Sequence, residues 1–104
     1  MRSRRAEALA LLGLAQRAGA VVKGIDGTRR CLRKGEARLV LLAQDGSESQ
    51  RRKVAPLAEA RGVPWRFLGN QVELGAALGS GPLTAVAVTR RKLVDELLAR
   101  LGGG

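Results

Sequence analysis

Histidine and tyrosine are missing from this chain altogether, cysteine occurs once, and Trp65 and Phe67 are its only aromatic rings. Without histidine, neither a Ser-His nor a Cys-His pair can activate a nucleophile. With one cysteine and no histidine a zinc centre lacks its usual ligands, and an internal disulfide framework is excluded. Cys31 falls mid-helix between apolar neighbours, the setting of a small buried hydrophobe. Two rings are too few for a protein that binds single strands by stacking bases, and their place in an apolar strand makes them candidate core. Acidic residues are scarce too, and no two of them are spaced for a shared acid–base site. Long apolar runs are lacking: none approaches the roughly 18–20 residues of a transmembrane helix. The start "MRSRRAEALALLGLA" is basic and then apolar. Glu7 interrupts it and Gln16 and Arg17 follow, so it reads as a helix and not as a secretory leader. The expected location is the cytoplasm, with no membrane partner.

What is abundant is positive charge. Nineteen Lys and Arg against nine Asp and Glu leave a net charge of +10 and a pI near 11.6. Such a balance selects polyanionic partners, RNA or DNA before acidic membranes, although a GC-rich genome also raises arginine content. The charge is uneven. Residues 1–35 hold nine Lys and Arg against Glu7 and Asp26, a net +7, and the remaining 69 residues add only +3. At 104 residues and 45% apolar, the chain suits one globular domain.

The hydrophobic pattern alternates between helix and strand. "RRAEALALLGLAQRAG" reads as a helix with Ala8, Leu11, Leu12, Ala15 and Ala18 on its buried face and Gly19 as its stop. "AVV" is a short strand. Asp26 is the expected N-cap of "GTRRCLRKG", with Arg33 and Lys34 in the last turn and Gly35 just beyond. "ARLVLLAQD" is a nearly continuous apolar run, the mark of a strand covered on both faces. Ser47, with Gln50 three residues on, forms a capping box for a third helix running to about Arg61, which Gly62 ends. "VPWRFLG" alternates as a strand, Asn70 with Glu73 opens "QVELGAALG", "PLTAVAVT" is the last strand, and Thr89 caps "RRKLVDELLARL". Helix and strand thus alternate four times before a closing helix. That pattern calls for an α/β/α sandwich around a small, largely buried sheet. Residues 1–104 form a single domain, with the basic residues 1–5 and Gly102–Gly104 expected to fray.

The turn "AGAVVKGIDGTRR" asks what it binds. Gly19 and Gly24 have the separation of a Walker A loop, but Ile25 and Asp26 stand where Lys and Ser or Thr are required. No G-x-G-x-x-G occurs. A polyanion site fits better. A helix start offers free backbone amides and the positive end of the dipole, and Gly24 and Gly27 admit a ligand close to the backbone. Positions 26, 29/30 and 33 share a helix face, placing one acceptor beside three arginine forks. A carboxylate there can accept from a base N–H while arginine takes a guanine edge. An N-cap with a solvated basic face accounts for the same spacing equally well. Asp45, at a strand end, reads as a turn former more readily than as a functional acid.

Four stretches, "LLGLAQRAGAVVKG", "ARLVLLAQD", "ELGAALG" and "AVAVT", stand in an order and spacing that resembles the kink-turn RNA-binding family of the archaeal ribosomal protein L-seven-Ae. That family has L-thirty-e and Gadd-type relatives, and the chain is similar to its small bacterial YlxQ-type members. The likeness covers residues of about 8–100. It implies a three-layer α/β/α fold with a mixed four-stranded sheet. The family's RNA signature is glycine, one variable residue, Asn-Glu, two variable residues and Lys. It falls on Gly24, Asp26, Gly27 and Arg30. Gly24 matches and Arg30 keeps the charge. Asp26 keeps an acceptor but loses a donor, and Gly27 lacks the glutamate that accepts from a guanine edge. The family's second contact, the loop that meets the extruded base of the kink, falls on Gly79–Thr84 and makes Ser80, Gly81, Pro82 and Leu83 candidates. Ser80 and Gly81 depart from the aliphatic residues usual there, and a plain helix stop explains the loop as well.

The resulting expectation is a non-enzymatic protein that needs no cofactor and binds structured, ribosomal or other ribonucleoprotein RNA. Its expected site comprises Lys23, Gly24, Ile25, Asp26, Gly27, Thr28, Arg29, Arg30 and Arg33, with the loop at 80–83. Two rivals stand beside it. One is a protein-interaction module of the same fold, which a large exposed apolar patch would favour. The other is a fragment of an enzyme, since the fold resembles the substrate-recognition domain of some RNA ribose methyltransferases. Against that, the chain has no cofactor motif and stops where a catalytic domain would begin.

Overall fold

The Ser3 hydroxyl accepts from the Ala6 amide at 3.1 Å and caps the first helix. Arg4 and Arg5, expected to fray, are therefore held in its opening turn. The computed structural model describes residues 3–101, so the fraying expected at Met1, Arg2 and Gly102–Gly104 lies outside the described residues. Six helices and four strands follow: α1 (Arg4–Arg17), β1 (Val21–Lys23), α2 (Ile25–Arg33), β2 (Leu39–Leu42), α3 (Glu48–Arg52), α4 (Ala55–Ala60), β3 (Trp65–Phe67), α5 (Gln71–Ala77), β4 (Ala85–Val88) and α6 (Arg91–Leu101). α1, α2, α4 and α5 all end alike. A left-handed glycine (Gly19, Gly35, Gly62, Gly79) and the residue after it donate their amides back into the last turn.

The sheet is mixed, in the order β1-β4-β2-β3. β4 runs antiparallel to β1 and β2, and β2 runs parallel to β3. Because strand side chains alternate, β2 and β4 feed two cores. Leu39, Leu41, Val86 and Val88 pack with α1, α5 and α6, whereas Val40, Leu42, Ala85 and Ala87 pack with α2 and α4. Both central strands are buried along their whole length, as the unbroken apolar runs required. The small alanines of β4 face α2 and let that helix lie close to the sheet. These three layers are the α/β/α sandwich that the pattern called for.

Five local readings are corrected. Ala18 is exposed at the end of α1, and Ala20 is buried in its place. The expected third helix is two, because Pro56 has no amide for the Arg52 carbonyl and its ring crowds that oxygen. α2 starts at Ile25 with Gly24 as its N-cap, so Asp26 is not the cap. α6 begins at Arg91, too late for Thr89 to cap; the Thr89 amide donates to Ala20 O at 2.9 Å. Phe67 is not core: β3 is an edge strand and Phe67 is 39% exposed, while the half-buried Trp65 packs only against the margin of the core. The two rings meet edge to face at 5.3 Å, and Trp65 Nε1 donates to Glu59.

Candidate nucleic-acid interface

The start of α2 is set by Gly24, whose φ of +89° is one that residues with a Cβ rarely adopt. Its amide donates to Ala85 O at 2.9 Å, tying the turn to the head of β4. Its carbonyl accepts from Thr28, the first bond of the helix. The Thr28 amide is therefore occupied, and the Thr28 side chain is buried. The amides of Ile25, Asp26 and Gly27 precede that first bond, and Gly24 brings no side chain to cap them. Asp26, in the first turn, adds an exposed carboxylate beside them.

These groups open into a cavity of about 560 Å³ lined by Lys23, Gly24, Ile25, Asp26, Gly27 and Arg30 on one side, and by Lys53, Pro82, Leu83 and Thr84 on the other. Arg30 leans back along the helix: its Nη2 lies 3.9 Å from where a Cβ on Gly27 would stand. The same hypothetical Cβ would come within 2.9 Å of Val22 Cγ1. Gly27 is thus a close-packing residue, with its neighbours filling the room a side chain would need.

The opposite wall comes from Pro82 and Leu83, held against α5 by another contact glycine. A Cβ on Gly75 would lie 2.0 Å from Gly81 O. Leu83 donates to Gln71 O at 3.0 Å. The Thr84 hydroxyl lies 3.2 Å from both Gln50 Oε1 and Gln71 Oε1 and donates to either. Asp45 belongs to this frame, as a turn former would: its Oδ1 accepts from the Gln71 amide at 2.8 Å at the head of α5.

The expected residues divide. Lys23 to Gly27, Arg30, Pro82 and Leu83 come together, although the two stretches lie more than fifty positions apart. Ser80 and Gly81 stand outside the cavity wall, where Ser80 completes the stop of α5 by donating to Gly75 O. Arg29 turns away, donating to the Lys53 carbonyl. Arg33 lies in the last turn of α2, outside the cavity, and its carbonyl accepts from Arg61 at 3.1 Å. Lys53 and Thr84 were absent from the expected set. Pro56 was the available signal for Lys53, since it breaks the third helix beside that residue. Among the described residues no three His, Cys, Asp or Glu side chains group as a metal site, and no helix is long and apolar enough to cross a membrane.

A small mixed α/β/α sandwich with a basic cavity at a helix start defines a class of three-layer α/β proteins that offer backbone amides and cations together. The sequence narrows the class. Residues 6–97 match the Ribosomal protein L7Ae/L30e/S12e/Gadd45 family, and the chain belongs to it. It is 35% identical over 91 residues to the RNA-binding protein YlxQ of Bacillus subtilis, covering 88% of this chain and 91% of that one. It is 36% identical over 74 residues to the large ribosomal subunit protein eL8 of Haloquadratum walsbyi, covering 70% and 62%. A Bacillus halodurans protein of unknown function superposes with a TM-score of 0.87 at 26% identity over 92% of this chain and 97% of the other. The Giardia lamblia 15.5kD RNA binding protein superposes at 0.79 and 23% identity over 97% and 90%, a likeness of fold. This is the RNA-binding, ribosomal-protein-like family that the four collinear stretches resembled.

Proposed function

We propose that this is a non-enzymatic, cytoplasmic RNA-binding protein that grips kink-turn-like RNA, ribosomal or of another ribonucleoprotein, through the cavity at the start of α2. The observation that carries the reading is convergence: the helix start and the loop before β4 form the two walls of one basic cleft. RNA binding in a relative of 35% identity supports the ligand class. The amides of Ile25, Asp26 and Gly27 receive a phosphate oxygen, aided by the helix dipole. Lys23, Arg30 and Lys53 supply the cations. Asp26 accepts from a base N–H, Arg30 reaches a guanine edge, and Pro82 and Leu83 pack on an extruded base. Arg29 acts indirectly by holding the Lys53 backbone. Tighter binding to the bent conformer makes that conformer dominant.

A gel-shift titration with a kink-turn RNA, and with the same RNA lacking its G·A pairs, tests this directly. The intact kink turn should bind more tightly; equal affinity would reduce the claim to general binding of basic protein to RNA. Arg30→Ala should lose roughly 1–3 kcal/mol on the intact kink turn if Arg30 reads a base. Uniform weakening across RNAs, with the salt slope lower by about one, would leave it a phosphate contact only. One feature favours a second reading as a protein-docking module: Leu14 and Val72, 53% and 65% exposed, stand near an apolar groove between α1 and α5. Leu14→Asp should leave RNA affinity unchanged if the first reading holds.

A further inference from the structure

We propose that the arginine-lined cleft at the other end of the sheet is a second phosphate-backbone site, which holds a second RNA helix independently of the first; the idea rests on the RNA-binding reading above. This cleft of about 470 Å³ opens between the two helical layers, beyond the starts of β2 and β3. Arg38, Arg61 and Arg91 line it over an apolar floor that includes Leu32, Val63 and Val94. The α2 helix runs from one cleft to the other: Ile25, Asp26, Gly27 and Arg30 line the first and Leu32, near its end, lines the second.

Three features point to an anion. First, the three guanidinium groups outnumber the one acid of the lining. Asp95 also lines the cleft, yet among the described residues no ion pair joins it to an arginine. Second, Arg61 is pre-positioned by its bond to Arg33 O, which leaves its other N–H groups for a ligand. Third, Arg91 and Lys92 open α6, preceded by Arg90, with no acid in the first turn. Cations at the positive end of a helix dipole repel it, and a bound phosphate relieves that repulsion. Arginine forks also match phosphate oxygens in pairs, and RNA duplexes are recognised largely through phosphate and 2′-hydroxyl contacts. The two clefts lie at opposite ends of the sheet.

The test is capture in trans. A kink-turn RNA is immobilised, the protein is bound to it, and a labelled RNA duplex without a kink turn is added at moderate salt. Wild type should retain the duplex. Arg38→Ala with Arg91→Ala should still bind the immobilised RNA but release the duplex, its duplex-binding salt slope lower by about two. The paired Lys substitutions, which keep the charge, should restore capture. Protein that binds the kink-turn RNA but never captures the duplex would overturn the proposal, as would capture by the double alanine variant equal to wild type. Failure to bind the immobilised RNA at all would instead strike the first reading, and direct titration of the labelled duplex against both proteins then decides the second site alone.

Discussion

Gly27 shows how one residue can carry two demands. Viewed as sequence it is the departure from the family signature; in the fold it is where α2 touches β1. A glutamate there must move Val22, whose methyl would stand 2.9 Å from the new Cβ. Gly27→Glu should therefore cost about 1–3 kcal/mol from overpacking. Adding Val22→Ala should recover part of it, and urea melts of the double-mutant cycle measure the coupling; strictly additive costs would show that the contact is not the reason for glycine. Cys31 gives a pH-dependent prediction. Burial raises its thiol above the ordinary 9.0, Glu36 adds repulsion, and Lys34 opposes both. An acid with a raised folded-state pKa contributes its full stability below pH 9 and loses it as pH climbs from 9 through the folded value. Melting curves from pH 8 upward should fall less steeply for Cys31→Ala than for wild type. Composition could mark this cysteine as buried, but only the packing says what surrounds it.

At the level of elements, the α2 start and the α5–β4 connection are the parts that meet. The connection lies flat on α5 because Gly75 has no side chain. Gly75→Ala places a Cβ 2.0 Å from Gly81 O, a backbone atom that cannot swing aside. The loop must lift, carrying Pro82 and Leu83 out of the cavity wall. The expected result is a loss of about 1–3 kcal/mol in stability together with weaker RNA binding, read by denaturant melts and gel shift. Unchanged affinity would show that the loop does not contribute to the interface. Glycine stops and the Asn70–Glu73 capping box were legible because they depend on residues within one turn. The position of the α2 cap was not. Asp26 has the chemistry of a cap, but the Gly24 amide bond to Ala85 O, sixty-one positions away, pulls the helix start forward.

For the molecule as a whole, charge dominates. A net +10 on a chain whose described residues show only two ion pairs implies self-repulsion in the folded state. Raising salt from about 0.01 to about 0.1 M shortens the screening length from about 30 to about 10 Å. Tm should rise over that range, and a flat or falling Tm would mean that the cations are spaced too widely to repel. Layer architecture, strand number and the basic helix start were all determined by sequence alone, because apolar periodicity and local charge act over a few residues. Edge placement of β3, which exposes Phe67, was decided only by tertiary structure. The family resemblance already paired the helix start with the loop at 80–83, but the recruitment of Lys53 to the first cleft was decided only by the tertiary structure. The gathering of Arg38, Arg61 and Arg91 at the second was decided there too. Strand order and helix docking set those juxtapositions, and both arise from burying two faces of one sheet at once, a condition that no single stretch of chain contains.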